Sequence, residues 1–220
     1  MAQIKLRIVA AALLAVLGLM TQAEPALCQT EKEVRGLPNF GRVTDTLFRG
    51  GQPDSAGFST LRAMDVGLVV NFRDEAAEIA TEKREVESLG MKYVGIPWSG
   101  HDKPSNSQVV EFLDLIRANP NTKIFVHCKR GADRTGVMIA AYRIAVEHEP
   151  VSQAISEMYL FHYAGFWLPQ LKRYVESLPA LIQKDTLFTA YNSVPSPSVA
   201  TGKLPVATSG VASPKVVGTN

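Results

Sequence analysis

Lys123-Ile124-Phe125-Val126-His127-Cys128-Lys129-Arg130-Gly131-Ala132-Asp133-Arg134-Thr135-Gly136 is the stretch on which the fold turns. Ile124-Phe125-Val126 is continuously apolar, the pattern of a central strand buried on both faces. A short loop follows, opening on Cys128 and closing on Arg134. From Thr135 to His148, apolar residues at Val137, Ile139, Ala140, Ile144 and Ala145 then predict a buried helix that Pro150 ends. Strand, loop and helix in that order build an anion site. The backbone N–H groups of Lys129, Arg130, Gly131, Ala132, Asp133 and Arg134 can converge on one tetrahedral anion, and the helix adds its positive N-terminal end. Gly131 permits the tight backbone path. The planar guanidinium of Arg134 can grip two oxygens of the anion at once, which a lysine cannot do.

The features that attract an anion also stabilise a thiolate, because helix N-termini and adjacent cations lower a cysteine below its free value of about 8.5. Cys128 is therefore a candidate nucleophile, against the plainer alternative of a buried core cysteine. His127, at the strand end, is expected to hydrogen-bond the loop. Thr135 carries a hydroxyl that either caps the helix or bonds the cysteine sulfur.

Working outward, short β-rich runs alternate with amphipathic segments, so the predicted fold is α/β, a central, mostly parallel sheet of four to five strands flanked by helices. Strands are expected at 46–49, 68–72, 92–96 and 123–127. Helices are expected at 54–65, 75–89, 105–118, 135–148, 152–159 and 167–177, with Ser105 and Gln108 spaced as a capping box. His148 is expected to close the helix it ends. Tyr159, Phe161, Tyr163, Phe166 and Trp167 form an aromatic-rich stretch whose plainest role is core packing.

The ends of the 220-residue chain differ from its middle. Lys5 and Arg7 precede an apolar run from Ile8 to Met20 and small residues at Thr21 and Ala23, the layout of a secretory signal peptide over residues 1–28. The run is shorter than the ~20 residues of a spanning helix, so no permanent span is expected after processing. The expected location is periplasmic or secreted, with tethering by an uncleaved leader as the alternative. Residues 193–220 are Ser, Pro, Val, Gly, Thr and Ala with almost no charge, a composition with little to pack and read as a disordered tail. One catalytic domain over 33–190 remains, and 46% hydrophobic with 20% charged residues suffices for its core. A net charge of +2 is too small to argue for nucleic acid and no basic tract appears, so no nucleic-acid partner is expected. Cys28 and Cys128 do not form a disulfide framework, and the four histidines show no paired ligand spacing, so neither metal nor cofactor is expected.

The run HCKRGADRTG resembles the cysteine-dependent protein tyrosine phosphatases, whose signature is His-Cys, five residues, then Arg followed by Ser or Thr. The domain's modest size resembles the dual-specificity branch. NFGRVTDTLFRGGQPDSAGFSTLRAMDVGLVVNFRDE, from Asn39 to Glu75, is similar to the opening of atypical dual-specificity phosphatases of plants, fungi and bacteria. Together these cover Leu37 to Leu178. The resemblance implies attack by Cys128, phosphate held by Arg134 and the loop amides, support from His127 and Thr135, and an aspartate that protonates the leaving oxygen. Asp102, in a Pro/Gly-containing segment between a strand and a helix, fits that part best. Asp133 and Asp74 are competitors, and Arg49 and Arg73 are left outside the site. Lys129, Arg130 and Lys103 suggest a positive rim, which would suit inositol phosphates or phosphoinositides as well as phosphorylated proteins, although Asp133 opposes that trend. A noncatalytic phosphate-binding module of the same fold is the alternative, and a sulfurtransferase leaves the Arg-Thr-Gly ending unexplained.

Overall fold

The computed structural model describes residues 34–192. The expected signal peptide, Cys28, the tail and residue 33 of the expected domain lie outside the described residues. Five strands form one sheet in the order β1-β2-β5-β3-β4: β1 (Gly41–Arg42), β2 (Leu47–Gly50), β3 (Val66–Asn71), β4 (Lys92–Gly95) and β5 (Lys123–His127). All neighbours are parallel except β1 and β2. The helices are α1 (Ser55–Ala63), α2 (Ala76–Ser88), α3 (Asn106–Ala118), α4 (Asp133–Ala145), α5 (Val151–Leu160) and α6 (Pro169–Lys184), followed by a 3-10 turn over Thr186–Tyr191. The expected mostly parallel α/β sheet is thus the observed one.

The pleat of β5 sorts the core into two layers, because successive side chains leave a strand on opposite faces. Ile124, Val126 and Cys128 join the larger cluster with Phe112, Val137, Leu171 and Leu178. Phe125 joins the smaller one with Phe48, Leu61 and Val86. Being central and covered on both sides, β5 carries its C-terminal loop to the crevice where open parallel sheets bind ligands. Burying one such phenylalanine contributes about 2–3 kcal/mol.

Local chemistry explains most boundaries. Asp54 caps α1 by accepting from the Gly57 amide, and Ser105 and Gln108 form the expected capping box on α3. Three expectations are corrected. Helix α4 starts at Asp133, two residues before the expected Thr135, so Asp133 and Arg134 lie in its first turn. It ends at Ala145, and His148 sits beyond it with φ +57° instead of closing the last turn. Helix α6 continues to Lys184 through Pro179, because Leu178 and Ile182 stay buried against the core and outweigh the local break.

Candidate active site

The loop after β5 is held from behind by its carbonyls. Gln52 N donates to Lys129 O (3.1 Å), Asn39 Nδ2 to Arg130 O (3.1 Å) and Arg49 Nη2 to Gly131 O (3.0 Å). None of the backbone N–H groups from Lys129 to Arg134 finds an acceptor among the described residues, so all six are free for an anion. Gly131 has φ +73°, and a Cβ there would lie 2.4 Å from Gly50 C. Only glycine fits. Cys128 is 3% exposed and lines the cavity beside this loop.

Arg134 is fixed by one nitrogen. Its Nη1 donates to Asp74 Oδ1 (2.7 Å), Trp98 O (3.0 Å) and Phe72 O (3.3 Å), which leaves Nη2 and Nε as a fork without an acceptor among the described residues. Asp74 is therefore a holder of the arginine. Asp133, the other competitor, accepts from Ala164 N (2.9 Å) and from Arg130 (2.5 Å), tying the loop to the turn after α5. This is a structural carboxylate.

Arg49, set aside on sequence grounds, belongs to the loop's foundation. It is 1% exposed, pairs with Glu157 (3.3 Å) and lies 3.8 Å from the Phe161 ring centroid. Burial lowers its guanidinium to about 10, opposed by the charge of Glu157. Arg73 is also buried, but it faces Glu75, Glu78 and Gln52 instead of the loop.

A cavity of about 480 Å³ opens above Cys128, lined by Gly100, His101, Lys129, Arg130, Asp133, Arg134, Ala164, Trp167 and Leu168. Asp102 is exposed in a turn that its own amide closes on Ser99 O (3.2 Å), next to the lining but not part of it. Lys103 turns away, its ammonium 5.3 Å from the Tyr174 ring, so the expected positive rim loses one member. Arg130 is neutralised by Asp133. The aromatic stretch divides: Tyr163 is buried, whereas Phe166 and Trp167 are 85% and 78% exposed and stack edge to face, with Trp167 forming a cavity wall. Thr135 is fully buried, and its hydroxyl bonds neither sulfur nor anything else among the described residues.

Behind the loop stands a cluster that the sequence did not announce. Glu82 of α2 is 5% exposed and meets His127 Nε2 (2.8 Å), Asn71 Nδ2 (2.8 Å) and Gln52 Nε2 (2.9 Å). Its neighbours Thr81 and Lys83 are polar, and its only trace is the i, i+4 spacing to buried Val86.

A family model described as DSP-PTPase phosphatase fused to NAD+ kinase matches residues 34–166, well over half of the chain, and the chain belongs to that family. It is 28% identical over 122 residues to the dual specificity protein phosphatase TpbA of Pseudomonas aeruginosa, covering 54% of this chain and 53% of that protein. It is 24% identical over 159 residues to inositol diphosphatase DSP5 of Arabidopsis thaliana, covering 69% and 75%. A crystal structure of P. aeruginosa TpbA with pTyr shares the fold at TM-score 0.59 and 21% identity, covering 74% of this chain and 100% of that one. The chain spans about half the length of the first curated relatives it matches.

Proposed function

We propose that the protein is a phosphatase that hydrolyses phosphate monoesters through a phosphocysteine. The observation that carries this is a single one: Cys128, six backbone N–H groups without an acceptor among the described residues and the open side of the Arg134 guanidinium belong to one loop whose carbonyls at Lys129, Arg130 and Gly131 are held from outside. The Cys128 thiolate attacks phosphorus, and the bond to the leaving oxygen breaks as that oxygen takes a proton from Asp102. Water then attacks the phosphocysteine, returning a proton to Asp102, releasing inorganic phosphate and restoring the thiolate. Asp102 reaches the substrate by movement of its Pro/Gly-containing loop. The Thr135 hydroxyl, which has no partner among the described residues, receives the departing sulfur. The test is phosphate release from an aryl phosphate by wild type and Cys128→Ser: release that survives the substitution sinks the proposal.

For substrate we propose phosphotyrosine on proteins first. The exposed Trp167 wall offers a flat aryl group a partner, and Asp133 cancels Arg130 at the rim. Inositol polyphosphates are the second reading, supported by Lys129, which makes no ion pair among the described residues, and by the likeness to an inositol diphosphatase. Phosphate release from phosphotyrosyl peptides, phosphoinositides and inositol polyphosphates ranks the two. A higher kcat/KM on the inositol substrates would reverse the order.

A further inference from the structure

We propose that Glu82 is a positioning residue that fixes the His127 ring directly behind Cys128, an inference that rests on Cys128 being the nucleophile. The pleat of β5 makes the contact possible. Cys128 leaves the strand toward α4, so His127 must leave toward α2, where it lies 5.7 Å from the Phe125 ring and within reach of Glu82.

Both ring nitrogens of His127 face acceptors. Nε2 is 2.8 Å from Glu82 Oε1, and Nδ1 is 3.4 Å from the carbonyl oxygen of Cys128, which can only accept. Glu82 Oε2 in turn accepts N–H donors from Asn71 and Gln52, so the carboxylate that meets the ring is itself held in place. The orientation of those amides is fixed at their other ends: Asn71 Oδ1 accepts from Arg73 N (2.7 Å) and Gln52 Oε1 from Arg73 Nη1 (2.7 Å). The remaining charges around the pair are Arg73 beside Gln52, Arg49 facing Cys128 from β2, and Lys129, Arg130, Asp133 and Arg134 on the loop and in the first turn of α4.

The sign of the effect separates this role from a plain electrostatic one. By through-space charge alone, neutralising Glu82 would stabilise the thiolate. If Glu82 acts by holding His127, replacing it frees the ring from its place against the Cys128 carbonyl and the thiolate is lost. The experiment follows the rate of Cys128 alkylation by iodoacetamide against pH in the full chain, for wild type, Glu82→Gln, Glu82→Asp, His127→Asn and the Glu82→Gln/His127→Asn pair. Glu82→Gln is expected to move the alkylation midpoint upward and to lower kcat about tenfold with KM nearly unchanged. Glu82→Asp restores part of the shift, and Glu82→Gln adds nothing once His127 is Asn. Nitrogen-15 NMR of wild type is expected to show a slowly exchanging His127 Nε2–H bonded to Glu82, a readout independent of any variant's folding. A downward or absent shift, additive effects in the pair, or a rapidly exchanging ring N–H would overturn the proposal. Alkylation needs no turnover, so an upward shift in a protein that releases no phosphate would sink the phosphatase reading and leave this one standing.

Discussion

The carboxylate of Asp74 stands 2.7 Å from the guanidinium of Arg134, while Asp102 lies exposed beside the cavity. Two aspartates near one phosphate site therefore have different work. Asp102→Asn is expected to lower kcat about 10²–10⁴-fold on phosphotyrosyl peptides, and less on aryl phosphates with good leaving groups, which need no proton. Asp74→Asn is expected to loosen Arg134 and raise KM with a smaller loss of kcat. Steady-state kinetics of the two variants separate these outcomes, and a larger kcat loss in Asp74→Asn would exchange the roles.

Gly131 and Gly90 both have φ near +75°, but a Cβ on Gly131 would strike Gly50 whereas one on Gly90 meets nothing within 4 Å. Gly90→Ala should cost about 1 kcal/mol of backbone strain and leave activity intact. Gly131→Ala should displace the loop and lower kcat/KM about a hundredfold. Urea unfolding and kinetics on the same two variants give the comparison.

The Arg49–Glu157 pair supports the loop through Gly131 O. Replacing Arg49 by Met leaves the Gly131 carbonyl without its donor and Glu157 held by Arg143 alone (2.8 Å), and is expected to cost about 2 kcal/mol in urea unfolding. Equal stability would mean that the pair contributes nothing net.

Acid sensitivity has identifiable sources. The Arg73 side chain holds Glu75 below the usual carboxylate range, and the Leu187 amide, then Asn106, do so for Asp185. Carboxyls lowered in the folded state contribute stability that is present above their unfolded values, about 4, and lost as pH falls through their folded ones. Tm is expected to be flat near neutrality and to drop below about pH 4, and Glu75→Gln/Asp185→Asn should start lower and drop less.

Trp167 is three-quarters exposed, so its removal tests the cavity wall without disturbing the core. Trp167→Ala is expected to raise KM for aryl phosphates about two- to tenfold and to leave inositol polyphosphate hydrolysis unchanged.

How far the sequence reached depended on whether the signal was local. The apolar run Ile124-Phe125-Val126 fixed β5 to the residue, and Ser105 with Gln108 fixed the start of α3, because both are read from neighbours in the chain. The partners that hold the loop were not legible. Arg49, Gln52 and Asn39 act at separations of about eighty residues or more, and a buried arginine in a short strand looks like any edge arginine until the sheet order is known. Glu82 was hidden for the same reason, since only the face on which β5 presents His127 gives it meaning. The exposure of Phe166 and Trp167 ran against composition, which counted them as core.

The central claim is that phosphate passes through Cys128. The most direct measurement is mass spectrometry of acid-quenched Asp102→Ala after mixing with an activated aryl phosphate, where phosphocysteine should outlast its hydrolysis. The account predicts one phosphoryl group on the peptide containing Cys128, absent in Cys128→Ser. Wild-type turnover with no covalent phosphate trapped there, or phosphate carried by another residue, would contradict it.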